Sequence, residues 1–433
     1  MNSLQAPVAS GVPLTRPQQR MLALHSRFPQ ADMLARAFAL RGRLDVGALA
    51  RAVAWSAARG PVLSSVIRPG ELSTARSQGD PIRLQVKEPQ LRGCRDSAMQ
   101  ALREAIATPF DLTRGPLLRV IVIPVNDEEH LFLFHAHHIV VDGYSIALGL
   151  QGVIEAYVSQ LRGDSLVAQK ADDALARIAL ADTDYPRTEA GIRDLAYWSC
   201  KLNKVRGHTP HAPATTISIA SSVCATEFSS DDQARIAHAA KQAGTTRPGM
   251  YAAAFQQILD SLQPGSELST TFTLRRTPAL LRVLGPLMTY GLLEAAPGGE
   301  AFQDRARRLG EEIRLGQVHA RGADTIGPHG ADPHALPLER TALISFHVQK
   351  RFTELSLGYG SGASNELAGL AMENIALPTR FVPYGLFLSV GELQGKSAML
   401  LIYNRTLYPE GQAQGALNEV RRVLLENVAE LCG

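Results

Sequence analysis

The chain has 433 residues, 45% of them hydrophobic and 20% charged, the composition of a folded globular protein with more chain than one core usually serves, so two subdomains are expected. Its formal net charge is +3, with Lys and Arg scattered among acids, which argues against a nucleic-acid footprint and allows local basic patches for acidic partners. No apolar run is long enough to span a membrane, Met1 to Val12 lacks a signal-peptide profile, and the four scattered cysteines form no Cys-x-x-Cys, so the chain reads as cytoplasmic with reduced thiols.

Taken in order, residues 1–13 form a loose lead. Thr15 is an N-cap and Pro17 an early helical residue, so a short helix begins there. Ala35 to Leu44 alternates as a strand, and Asp45 caps a helix over Val46–Ala58. Ile82–Val86 reads as a strand and Asp96–Ala107 as a helix. Gly115-Pro116 punctuates the entry to a buried strand, Leu117–Ile123. A polar turn at Val125–Glu129 returns the chain along an antiparallel strand, Leu131–His138.

The word His135-Ala136-His137-His138-Ile139-Val140-Val141-Asp142-Gly143-Tyr144-Ser145 follows, read as strand end, tight turn and the start of a helix over Ser145–Leu161. Alternation puts His138 on one face with Phe132, Phe134 and Ala136, and His137 on the other. A strand-end histidine with a carboxylate four residues on suits a general base held in place. Gly143 is expected to permit a sharp turn, and the helix start supplies unpaired N–H groups fit for an oxyanion. Two bland or rival readings use the same residues. One is a satisfied structural histidine. The other is a zinc site from His135, His137, His138 and Asp142, but the Asp stands too far from the second His for a metallo-hydrolase word, so no metal is expected.

Past Leu161 the chain turns polar, and the subdomain boundary is placed within 165–190, dividing 1–178 from 179–433. Thr215–Phe228 reads as a strand. Ser229 or Ser230 caps a helix to Ala243, and Thr246 caps another over Pro248–Leu262. A strand, Leu268–Leu274, ends at Arg275-Arg276; a helix covers Glu300–Arg314; His329 and His334 stand in a broken loop, Ile326–Pro337. Strands follow at Ala342–Val348, Leu355–Leu357, Arg380–Val390 and Ala398–Tyr403, then a closing helix, Gly411–Leu431.

His137 to Gly143 spell His-His-x-x-x-Asp-Gly, which resembles the signature of the condensation-domain family of nonribosomal peptide synthesis, relatives of chloramphenicol acetyltransferase. Pro109 to Arg119 closely resembles that family's Pro-Phe-Asp-Leu-x-x-Gly-Pro-Leu-Leu-Arg stretch. Thr15, Gln18 and Arg20 match its Ser-x-Ala-Gln-x-Arg-Leu, with Pro17 in place of Ala, and Arg193 to Trp198 resembles Arg-Asp-x-x-Tyr-Trp. At Arg59 to Ile67 only Arg59 and Leu63 of a further motif survive. His137 and Asp142 also spell the His-x4-Asp word of glycerolipid acyltransferases, which usually work at membranes.

The resemblance runs from about residue 14 to the end. It implies an α/β (α+β) protein of two chloramphenicol-acetyltransferase-like subdomains in a V around a central tunnel. His138 is then the base, Asp142 and Gly143 complete the site, and His137, Arg20 and Arg275 hold it, with Arg275 paired to Asp142. Thr289 stands where the family usually has Asn, beside Tyr290; Ser345 stands where another Asn is common, with His347 on the same strand face. All four are candidate tunnel-lining residues. The donor implied is an acyl thioester on the phosphopantetheine arm of an acyl or peptidyl carrier protein, with no resident cofactor. The acceptor is a small amine or hydroxyl, or a second carrier. The protein is expected to be a monomeric, free-standing condensation enzyme, loosely similar to siderophore amide synthases. An ester-forming chain-releasing enzyme, an acyl-CoA-dependent acyltransferase and a non-catalytic recruitment platform are the alternatives.

Overall fold

The computed structural model describes residues 12–432 apart from 32, 69–74, 169, 207–219, 296–297, 327–340, 348–363, 368, 376, 378–379 and 394–395. The first half runs β1 (Val12–Pro13), α1 (Arg16–Arg27), β2 (Met33–Arg41), α2 (Val46–Ala58), β3 (Ser65–Arg68), β4 (Ala75–Gln78), β5 (Leu84–Val86), α3 (Arg95–Ala107), β6 (Leu118–Pro124), β7 (Glu129–His137), α4 (Gly143–Leu161) and α5 (Ala174–Asp184). The second runs α6 (Glu189–Arg206), β8 (Ala220–Phe228), α7 (Ser230–Gln242), α8 (Arg247–Leu262), β9 (Glu267–Thr273), β10 (Met288–Leu293), α9 (Phe302–Val318) and α10 (Ala320–Ile326). It closes with β11 (Thr341–His347), β12 (Ser364–Leu367), β13 (Leu370–Asn374), β14 (Arg380–Phe381), β15 (Leu386–Leu393), β16 (Lys396–Asn404) and α11 (Glu410–Cys432).

Period-two patterning decides how the first sheet is sandwiched. Phe132 and Phe134 of β7 share a core with Val120 of β6, Leu49 and Val53 of α2, and Leu150 and Val153 of α4. The alternate residues Leu131 and Leu133 face a second core with Ala98, Ala101 and Leu102 of α3. Helices thus cover both faces, as an α/β layer requires. The second sheet runs β10-β9-β11-β15-β16-β8-β14, and Ile344, Leu388 and Leu401 pack beneath α8 and α11. Trp198 of α6 fills a smaller cluster with Phe272 and Ala320, and its indole N–H donates to the His319 carbonyl at 2.8 Å. The architecture is therefore mixed α/β, with two large sheets and a small three-stranded one, β1-β4-β3, among the described residues, as expected for the fold class.

The halves interlock more than a cut between 178 and 179 allows. The first sheet has the order β12-β13-β2-β7-β6-β5, so two of its strands come from residues 364–374. Met372 pairs with Leu40, and Leu370, Met372, Val283, Leu284 and Leu287 all join the first core. Sequence adjacency does not reveal a strand lent across more than 300 residues.

Smaller expectations also shift. Arg380–Val390 is two strands, split after Phe381. The helix expected over Glu300–Arg314 runs over Phe302–Val318, and α10 was not anticipated. Leu355–Leu357, Val348, most of the 326–337 loop with His329 and His334, and the start of the 215–228 strand lie outside the described residues.

Candidate active site

β7 ends at His137 because the chain turns there: the His137 N–H donates to Leu117 O at 2.9 Å and the Val140 N–H returns to His137 O at 3.1 Å. This early turn takes His138 out of the strand alternation. Phe132, Phe134 and Ala136 stay in the core, joined by Ile139, Val140 and Val141, while His138 does not share their face as expected. It lines a cleft with His135 instead. The cleft occupies about 830 Å³, counting space open to solvent, and its walls include Met33, Leu34 and Ile106 from the first half and Tyr290, Leu343, Tyr384 and Phe387 from the second. His138 is 8% exposed, and its Nδ1 is buried without a hydrogen-bond partner among the described residues.

Asp142 caps α4, so the helix starts at Gly143 and not at Ser145. Its carboxylate is fully engaged. Oδ1 accepts from the Ser145 N–H at 2.7 Å and Oδ2 from the Leu287 N–H at 2.9 Å. Nη2 of Arg275 reaches both oxygens at 3.0 Å. A single guanidinium nitrogen bridges them, where the planar fork of the side chain suggested two. Nη2 also reaches Ser145 Oγ and the Gly285 carbonyl, each at 2.8 Å, and Nη1 donates to Val283 O at 2.7 Å. Burial opposes the charge on Asp142, but Arg275 and the two N–H donors outweigh it and hold the carboxyl below its ordinary range. Asp142 therefore positions the turn and ties it to the second half; it has no hydrogen bond to spare for relaying charge to His138.

The remaining site residues divide. Tyr290 lines the cleft. Arg20 stacks on the Tyr290 ring at 3.9 Å and pairs with Asp324 at 3.2 Å. Thr289, one step along β10 from Tyr290, neighbours that Asp324 carboxyl instead of the cleft. Ser345 is buried and pairs with Ser389 two steps beyond the cleft-lining pair Leu343 and Phe387, so alternation gives it their face. His347 ends β11 opposite Gly391, and its side chain lies outside the described residues. Gly143 does not adopt a left-handed backbone, and a Cβ there would meet nothing within 4 Å. Neither a special backbone angle nor crowding around a Cβ therefore calls for glycine at this position.

Sequence reasoning missed three contributors. Phe110 packs against the histidines, with its ring 4.8 Å from His135 and 6.3 Å from His137, and the Arg119 guanidinium lies over the same ring at 4.0 Å. Asp324 carried no signal, since it falls in the unanticipated α10. His25 contacts His137, and its helical spacing of seven from Gln18, with Met21 between, was the signal available. His137 uses both ring nitrogens, on His25 and on the Ile139 N–H, so neither it nor the engaged Asp142 carboxylate has a lone pair to share with His135 and His138.

Burial holds two histidines neutral. His137 sits well below the ordinary histidine range, its histidine neighbours adding to the effect, and His135 is pushed down to about 3 by burial with Arg119 nearby. The unfolded chain takes up these protons below about pH 6.5 while the folded one does not. Stability is therefore fully present above that pH and lost as pH falls, by about 1.4 kcal/mol per pH unit for each such histidine. Urea midpoints measured between about pH 6.5 and pH 4.5 should decline less steeply in His135→Leu than in the parent protein. Parallel slopes would show that His135 is not kept neutral.

The family model described as "Condensation domain" matches residues 8–432. Among curated proteins, the chain is 28% identical over 344 residues to isonitrile lipopeptide synthase of Mycobacterium tuberculosis, a match covering 73% of this chain and 13% of that protein. It is 26% identical over 310 residues to CymA, a probable non-canonical nonribosomal peptide synthetase of Salinispora arenicola, covering 68% of this chain and 4% of that protein. The chain thus spans a small part of the length of the curated relatives it matches. Among solved structures, the complex of the X-domain and OxyB from teicoplanin biosynthesis aligns with a TM-score of 0.79 at 20% identity, covering 99% of this chain and 96% of that one. VibH, a nonribosomal condensation enzyme, aligns with a TM-score of 0.71 at 17% identity, covering 95% of each.

Proposed function

The chain belongs to the condensation-domain family, and from that premise we propose that it transfers an acyl group from a carrier-protein phosphopantetheine thioester to an amine, forming an amide. The observation that carries the reading is the place of His138: on a braced turn, at the wall of a cleft lined by both halves of the chain. The thioester carbon is attacked by the amine nitrogen, and the His138 imidazole at the cleft wall accepts the proton that nitrogen sheds. The thiolate of the arm then leaves and takes up a proton. The N–H at Gly143, where no side chain stands in the way, receives the developing oxyanion. The acyl group is already activated by its thioester, so proximity in a largely apolar cleft does much of the rest. The donor arm is part of a substrate, and the open approach at Gly143 suits so slender a group.

A second reading, recruitment of a partner protein without turnover, draws support from the likeness to the X-domain solved with OxyB. The test loads carrier proteins with aryl, fatty and aminoacyl groups and follows products with added amines or alcohols by mass spectrometry. Carrier discharge with an amide product is expected. An ester product would replace the amine by a hydroxyl acceptor. Consumption of acyl-CoA but not of any carrier thioester would overturn the donor. No turnover of any donor would favour recruitment.

A further inference from the structure

We infer that His25, on α1, is a positioning residue that fixes the tautomer of His137 and, through it, the place of His138 in the cleft. The inference rests on the reading that His138 does the chemistry. Its geometry is independent of that reading. The Ile139 N–H donates to His137 Nδ1 at 3.1 Å, so that nitrogen carries a lone pair. A neutral imidazole has one N–H, and it must then sit on Nε2. His137 Nε2 is 3.1 Å from His25 Nδ1, so His25 is the acceptor. The rings meet edge to face, 5.0 Å apart at 74°.

Among the described residues His137 has no alternative hydrogen-bond partner. It is wholly buried, with the edge of Phe110 against it. Moving its proton to Nδ1 would set two N–H groups against each other at Ile139. The same helix also grips the next peptide: Gln18 Nε2 donates to Ile139 O at 2.9 Å. His138 is therefore flanked by two residues that α1 holds, His137 by its ring and Ile139 by its carbonyl. A helix that only packed against the core would need neither polar contact. Outer partners of this kind, which orient a working imidazole without touching substrate, typically change rates by about 10- to 100-fold when removed.

The test compares His25→Leu, which removes the acceptor, with His25→Asn, whose side-chain carbonyl can stand in for Nδ1. Histidine is labelled with ¹⁵N, and the His137 signals are assigned against His137→Gln. The parent protein is expected to show His137 protonated at Nε2. In His25→Leu that pattern should be lost or mixed, with kcat down by about 10- to 100-fold and KM little changed. His25→Asn should restore both the pattern and most of kcat. A parent spectrum with the proton on Nδ1, or a folded His25→Leu with unchanged shifts and kcat, would overturn the assignment. If His25→Leu does not fold, an Asn variant that folds but keeps neither tautomer nor rate overturns it too. Should the parent protein discharge no carrier thioester, the proposed function fails while the tautomer measurement still decides the role of His25.

Discussion

Asp142→Ala is expected to lose about 3–5 kcal/mol of unfolding free energy, the usual result of stranding one partner of a buried ion pair. The side chains of Arg275 and Asp142 are only 3% and 5% exposed, so water cannot take the place of the lost carboxylate. The substitution also strips the cap from α4, leaves the Leu287 N–H without its acceptor, and leaves the Arg275 guanidinium uncompensated among carbonyls. Arg275→Leu should lose a similar amount, and Asp142→Ala combined with Arg275→Leu should lose clearly less than the two added together. Urea unfolding of the three variants tests this. A soluble Asp142→Ala protein with the parent midpoint would show that the pair contributes nothing.

His138→Ala should behave in the opposite way, with folding kept and chemistry lost. Among the described residues no hydrogen bond holds its Nδ1, and its ring lines the cleft instead of filling the core. Thermal unfolding should therefore stay close to the parent value, while single-turnover amide formation falls by about 10²- to 10⁴-fold, the usual contribution of a positioned general base. A variant that turns over at the parent rate would remove His138 from the chemistry and leave proximity and the oxyanion donors to account for it.

What could be read from the sequence was what is encoded locally. Caps at Thr15, Asp45, Ser229 and Thr246 all hold the first turns they face, because a short polar side chain before an amphipathic run has few other uses. The strand pair around Val125–Glu129 followed from alternation and turn residues. The Arg275–Asp142 contact was reached only through family resemblance; nothing in the residues around 275 points to 142. The face taken by His138 was misread because alternation was carried one residue past the end of the strand. The sharp turn expected at Gly143 was misread, since its backbone takes no left-handed angle. Asp324 and the loan of β13 depend on which distant segments meet, and no local period records that; for His25 the helical period gave its face but not its partner.

That loan imposes an order on how the protein is made. Until residues 370–374 emerge from the ribosome, β2 has no neighbour on its outer side, and its backbone N–H and C=O groups stand open along residues 38–41. An open edge pairs readily with other chains, and synthesis at about 5–20 residues per second leaves it open for tens of seconds after β2 itself appears. Arg41, at the edge of β2, finds its partner Glu373 only when that strand arrives. Meanwhile it places a positive charge on the exposed edge, a feature that discourages strangers from docking there.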